Sequence, residues 1–288
     1  MKLSYKRKQI FFIAAFLFAA GFNHNIISQH QNVLSNDGVK IYFHVEGKNE
    51  PALVFVHCWS CDKSYWDYQV KIFSPIYKVV TIDLAGHGES GLERKNYTLQ
   101  AFGDDVAAVV NKLDLKKIIL IGHSMGGPVV IEAANRLKGK VIGIIGADTF
   151  QNLGETIPAE QIDPFLKPFK ENFVETTKGF VKTMFPPMAD SNLVKKVSED
   201  MSSEPPQVAV SAMENMFKDN AINALKELDV PIISINCDRY PIKEEQNRKL
   251  VKSYKLKIMK GVGHFVMLED PAKFNQLLQE SIDELIKQ

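Results

Sequence analysis

The sequence predicts an α/β protein with a mostly parallel central sheet flanked by helices and a helical cap inserted late in the chain. Three observations predict it. Short apolar runs at residues 52–57, 78–84 and 118–121 alternate with helical segments, which is how parallel strands buried on both faces and their crossover helices read. That rhythm breaks across residues 154–221, where no strand reads clearly. It then resumes at residues 231–238 and 256–259.

Each element has its own signal. Residues 38–46 alternate Val39, Ile41, Phe43 and Val45 with polar neighbours, the period of a half-buried strand. Gly47-Lys-Asn-Glu-Pro51 is a turn, and the run after it, 52–57, takes a more central place in the sheet. The stretch 64–73 reads as a helix. The strand at 78–84 ends in the glycine-rich loop Ala85-Gly-His-Gly-Glu-Ser90. Residues 98–113 form an amphipathic helix with Phe102, Val106, Val109, Val110 and Leu113 on one side. Strands at 118–121 and 141–145 enclose a helix at 129–137. Within the insertion, Phe173, Thr177, Phe180 and Met184 recur at helical spacing, between breaks at Pro186-Pro187 and Pro205-Pro206. An amphipathic helix at 272–286 closes the chain. The organisation expected is therefore an N-terminal segment (1–30), a core made of 31–153 and 222–288, and a helical cap (154–221).

The N-terminal segment has a separate logic. Lys2, Lys6, Arg7 and Lys8 precede an uncharged, nearly all-apolar run at 10–22, with small residues at Ala19 and Gly21. This is the layout of a secretory signal peptide, and the run is short for a spanning helix. The expected location is secreted or periplasmic, the alternative being attachment to a membrane through an uncleaved segment. The net charge of +1 and the lack of a basic stripe argue against a nucleic-acid partner. Three cysteines are too few for a disulfide framework. Cys58 and Cys61 form a C-x-x-C pair without a thioredoxin-like setting, and Cys237 reads as a small packed group. No set of His, Asp and Cys has metal-ligand spacing.

The chemistry concentrates at Gly122-His123-Ser124-Met125-Gly126, a G-x-S-x-G pattern between the strand at 118–121 and the following helix. Strand, tight turn with a central serine, then helix is the setting a nucleophile elbow requires. The turn strains Ser124 so that its hydroxyl stands clear of the sheet. Gly122 and Gly126 let strand and helix pass closely. Met125 offers its N–H at a helix N-terminus, where developing negative charge is stabilised.

With these features the chain resembles the α/β-hydrolase family over nearly everything after residue 35. Besides the elbow, Asp83-Leu-Ala-Gly-His-Gly-Glu-Ser90 is similar to that family's D-x-x-G-H-G-x-S loop. Gly263-His264-Phe-Val-Met-Leu-Glu-Asp-Pro271 is similar to its histidine loop, and Asp238 stands after a strand where the family keeps its acid. The order Ser, Asp, His along the chain is also the family's. The resemblance implies a triad of Ser124, Asp238 and His264, with Asp148, at the end of the preceding strand, as the second choice of acid. It implies oxyanion donors in the backbone N–H groups of Trp59 and Met125, whose side chains also become candidates for the substrate pocket. The family usually has His-Gly where this chain has His57-Cys58, and a Cβ at 58 constrains that loop more than glycine does. His57, His87 and His123 sit in motif loops and are expected to bond loop backbone. His24, His30 and His44 are expected at the surface.

The expected activity is hydrolysis of a small, fairly apolar carboxylic ester or lactone, with no metal or organic cofactor. The phenylalanines and methionines of the cap divide between its own core and an apolar pocket. A C–C bond hydrolase or cofactor-free perhydrolase using the same triad is an alternative, as is a slow-turnover ligand-binding receptor on this fold. Serine at the elbow sets the chain apart from the aspartate-dependent branches that open halides and epoxides.

Overall fold

The computed structural model describes residues 31–219 and 221–287; the N-terminal segment and the location inferred from it lie outside the described residues. The chain begins with β1 (Gln31–Leu34), β2 (Lys40–Glu46), β3 (Ala52–Val56), α1 (Asp67–Phe73) and β4 (Val79–Ile82). Next come α2 (Leu99–Lys112), β5 (Ile118–His123), α3 (Gly126–Arg136) and β6 (Val141–Ala147). The insertion supplies α4 (Ala159–Glu171), α5 (Phe173–Met184), α6 (Ser191–Ser202) and α7 (Pro206–Asp219), and the short α8 (Ile222–Lys226) follows it. The chain then returns to β7 (Ile232–Cys237), α9 (Glu244–Leu250), β8 (Tyr254–Met259), α10 (Val266–Glu269) and α11 (Pro271–Ile286).

The eight strands form one sheet in the order β1-β2-β4-β3-β5-β6-β7-β8. β2 runs antiparallel to both neighbours, and every pair from β4 to β8 is parallel. The continuous apolar runs are the central strands: β3, β4, β5 and β7 are buried at every position. β2, closer to the edge, alternates instead. The helix boundaries follow local chemistry. Thr98 Oγ1 accepts from the N–H of Ala101 at 3.1 Å to open α2, and Asp270 does the same for Lys273 at 2.9 Å ahead of Pro271 in α11.

Three differences from the sequence reading have simple causes. β1 is a four-residue edge strand, nearly all exposed, and therefore carries no apolar pattern. α9 is largely polar, so its seven residues offer no stripe. α4 continues through Pro164 and Pro168, and buries Ile162, Leu166 and Phe169 on one face.

Because β3 through β8 are parallel, their carboxyl ends share one edge of the sheet. The loops after β3, β5, β6, β7 and β8 meet there, and α4–α7 lie over them. This is where open α/β sheets bind ligands.

Candidate active site

Ser124 follows β5 with φ +52°, a left-handed conformation that a serine adopts only when its surroundings enforce it. The enforcement is visible in the two flanking glycines. A Cβ on Gly122 would stand 2.3 Å from the Gly126 carbonyl oxygen, and one on Gly126 would stand 2.6 Å from that of Val56. The turn is closed by the Gly127 N–H donating to Ser124 O at 2.9 Å. α3 starts at once, at Gly126, three residues earlier than its apolar pattern suggests. Met125 is therefore its N-cap, with its N–H at the positive end of the helix.

His264, in the loop after β8, donates from Nδ1 to Asp148 Oδ2 at 2.6 Å. This corrects the expectation that Asp238 is its partner. Asp238 is exposed and accepts instead from the Gly261 N–H, at 3.3 Å. Asp148 is fully buried and has a left-handed backbone, φ +43°. Its N–H donates to Ile235 O at 2.8 Å, and its Oδ1 accepts from the Cys237 N–H at 2.9 Å. Its other oxygen is left aimed at His264. The two aspartates stand at the ends of neighbouring strands, and the twist at Asp148 decides between them.

The His264 loop is held from several sides. Glu269 accepts from the N–H groups flanking the histidine, Gly263 at 2.8 Å and Phe265 at 3.2 Å. The His264 N–H donates to Met184 O at the end of α5, 2.9 Å away. Beneath it, His123 Nε2–H donates to His264 O at 2.9 Å. Burial holds His123 well below the usual imidazole range, so it stays a neutral strut. The clamping role of Glu269 was not read from the sequence; an acid five residues after His264, just before the helix-opening Asp270-Pro271, was the signal available.

The loop after β3 is braced in the same way. His57 donates from Nδ1 to Cys58 O at 2.8 Å, while its Nε2 accepts from the Leu84 N–H at 3.0 Å. Burial lowers its pKa, consistent with this neutral tautomer. His87 Nδ1–H donates to Ala85 O at 3.0 Å, with its pKa pushed down to about 3 by burial. The three motif-loop histidines thus bond backbone, as expected. Among the histidines expected at the surface, His44 is half-buried and lies 3.5 Å from Glu46, and His24 and His30 lie outside the described residues. Asp83 accepts from the Lys63 and Glu89 N–H groups and pairs with Lys63 Nζ at 2.6 Å, tying the loop after β3 to the glycine-rich loop after β4.

The cysteine at 58 is accommodated, its thiol donating to Trp59 O at 3.5 Å. Cys58, Cys61 and Cys237 are free and buried. Burial beside Asp148 raises the Cys237 thiol to about 12, so it is an inert packing group. Trp59 has a structural task as well: its indole N–H donates to Ala209 O in α7 at 2.7 Å. Its ring also meets Phe169, Phe173 and Phe180 edge-on.

Ser124, Asp148 and His264 line one cavity of about 640 Å³, together with Cys58 and Trp59. The size suits a small organic molecule. Its roof is apolar, with Phe180, Met184, Met201, Met213, Met216 and Phe217 contributed by α5, α6 and α7. Met125, fully buried, gives the site its backbone rather than a lining side chain.

With this geometry in view, the relatives fall into place. Residues 53–277 match the model of the alpha/beta hydrolase family, and the chain belongs to that family. It is 24% identical over 258 residues to 3-oxoadipate enol-lactonase 1 of Acinetobacter baylyi, covering 86% of this chain and 95% of the relative. It is 24% identical over 277 residues to non-heme chloroperoxidase CPO-A1 of Kitasatospora aureofaciens, covering 86% and 98%. Among solved structures, the esterase EaEST from Exiguobacterium antarcticum shares the fold, with a TM-score of 0.78, 18% identity and coverage of 88% and 99%.

Proposed function

We propose that this hydrolase cleaves a small, fairly apolar carboxylic ester or lactone through an acyl-enzyme intermediate, using Ser124, His264 and Asp148. The observation that carries the proposal is the 2.6 Å bond from His264 Nδ1 to buried Asp148, in a cavity that His264 shares with Ser124. A serine hydroxyl is a weak nucleophile and needs an adjacent base. With Nδ1–H committed to Asp148, the free Nε2 of His264 is the atom that takes the Ser124 proton as Oγ attacks the carbonyl carbon. Asp148 stabilises the imidazolium that forms, without taking its proton.

The tetrahedral oxyanion is held by the backbone N–H groups of Met125 and Trp59. One such donor is worth ~10²–10³-fold in turnover. His264 then returns the proton to the leaving alcohol. Water, activated by the same Nε2, releases the acid and regenerates Ser124. The apolar roof selects a substrate whose bulk is hydrocarbon or aromatic. The basic, then apolar, N-terminal segment supports an extracytoplasmic setting for this activity.

The experiment is a panel of p-nitrophenyl esters from acetate to decanoate, with simple lactones, run beside Ser124→Ala. Serine-dependent turnover with a chain-length optimum supports the proposal, with a loss on the order of 10⁶-fold in the variant. Absence of turnover from folded protein across the panel contradicts it.

A further inference from the structure

A second concavity, of about 840 Å³, opens beside the catalytic cavity and shares Thr183 with it. One wall comes from α5 and α6 and the other from Arg239, in the loop after β7. Its charged lining is unbalanced: Lys178, Lys182, Lys195 and Arg239 face a single carboxylate, Glu199. Glu199 pairs with Lys195 at 3.9 Å, and Lys178 pairs with Glu175 at 3.6 Å. Lys182 and Arg239 form no ion pair among the described residues, although Arg239 donates to Thr183 O at 3.3 Å. That bond brings the guanidinium to Thr183, the residue the two cavities share. Phe185, Val194 and Pro186 supply apolar surface beneath the cations.

The catalytic cavity also shares Pro128, Gln151 and Phe217 with a smaller recess of about 300 Å³, whose lining includes Ile131, Leu153 and Ile157 beside Asn152 and Glu155. The cavity that holds the catalytic serine thus adjoins both this recess and the cationic vestibule.

Resting on the hydrolase reading above, we propose that the vestibule is a binding site for an anionic group of the substrate. The preferred ester or lactone then carries a carboxylate or phosphate that sits at Lys182 and Arg239, while its apolar part fills the methionine-roofed cavity. Exposed cations recognise such a group as a charge-assisted hydrogen-bond pair, of modest strength and sensitive to salt. The effect therefore falls on binding more than on the chemical step.

The test compares esters matched in length and leaving group but differing in charge. p-Nitrophenyl hydrogen adipate is set against p-nitrophenyl hexanoate, and 3-butyryloxy-4-nitrobenzoate against o-nitrophenyl butyrate, so that the anion lies first on the acyl side and then on the alcohol side. Wild type is expected to favour at least one charged ester. Lys182→Met and Arg239→Gln should each raise KM for that ester about two- to fivefold, with kcat and the neutral ester unchanged, and added salt should reproduce the loss. If both variants treat charged and neutral esters alike, the vestibule proposal is wrong even though the hydrolase reading stands.

A binding readout keeps the two readings apart if no ester turns over. Octanoate should raise the melting temperature of Ser124→Ala more than octanol does, and Lys182→Met in that background should abolish the difference. Equal shifts for octanoate and octanol overturn the proposal.

Discussion

His264 and Asp148 are joined by a 2.6 Å bond from Nδ1–H to Oδ2, and the other oxygen of Asp148 is occupied by the Cys237 N–H at 2.9 Å. This double engagement makes a sharp prediction. In Asp148→Asn the amide oxygen must face the Cys237 donor, which turns the NH₂ toward Nδ1 of His264. The imidazole is forced into the tautomer whose Nε2 carries a proton and cannot act as base. The expected result is a loss of ~10⁴ in kcat with the fold preserved. Asp238→Asn alters an exposed carboxylate and should leave kcat within about twofold, as expected of a surface change. Steady-state kinetics on one ester decides between them, and the reverse ranking contradicts the assignment.

Trp59 is placed to hold cap and core together. Trp59→Phe keeps an aromatic ring but leaves Ala209 O without its 2.7 Å donor. That carbonyl keeps its helical partner within α7, so the cost expected is that of one lost hydrogen bond, about 0.5–1.5 kcal/mol, read as a lower urea midpoint. The backbone N–H at position 59 survives the change, so kcat on an acetate ester should fall far less than it does in Asp148→Asn. Equal losses in both variants contradict the separation of roles.

Glu204, half-buried between α6 and α7, makes stability depend on pH. Burial, with repulsion from Asp62 and Asp83, pushes its carboxyl up to about 8 from an ordinary 4.5. Between those values the folded chain keeps a proton that the unfolded chain has released. Stability attributable to Glu204 therefore declines as pH rises through that window, and the penalty is complete above about 8. Glu204→Gln removes the titration. Urea midpoints of the variant should exceed those of wild type increasingly from about pH 5 to about pH 9. A constant difference across that range contradicts the shift.

Arg94 and Asp105 form a bidentate pair at 2.7 and 3.0 Å, and Asp105 also accepts from Ser35 and the Ala85 N–H. Asp105→Ala leaves a buried guanidinium with only partly exposed Asp37 beside it. A loss of about 3–5 kcal/mol is expected, measured by chemical denaturation. A loss under about 1 kcal/mol would mean that the pair behaves like a surface one.

The contrast between Asp148 and Asp238 also marks where the sequence stops being legible. The strands β3 to β7 could be read because burial on both faces imposes continuous apolar runs. The elbow could be read because Gly122 and Gly126 are required by contacts of 2.3 and 2.6 Å that any side chain would violate. The acid could not be settled that way. Both aspartates follow an apolar strand at the same sheet edge, and what separates them is the left-handed turn at Asp148 and a donor 89 residues away at Cys237. Glu269 escaped for a similar reason, since its two bonds are to backbone N–H groups that carry no sequence signature. The vestibule is likewise a product of the fold, because Lys182 and Arg239 lie far apart in the chain and meet only where α5 packs on the loop after β7.

The central claim, that Ser124 is a nucleophile activated by His264, is tested most directly by incubating the protein with a fluorophosphonate and mapping the adduct by peptide mass spectrometry. The account predicts one phosphonyl group per chain, on the peptide containing Ser124, formed much more slowly in Asp148→Asn and at the wild-type rate in Asp238→Asn. Folded protein that gains no adduct, or gains it on another residue, contradicts the account.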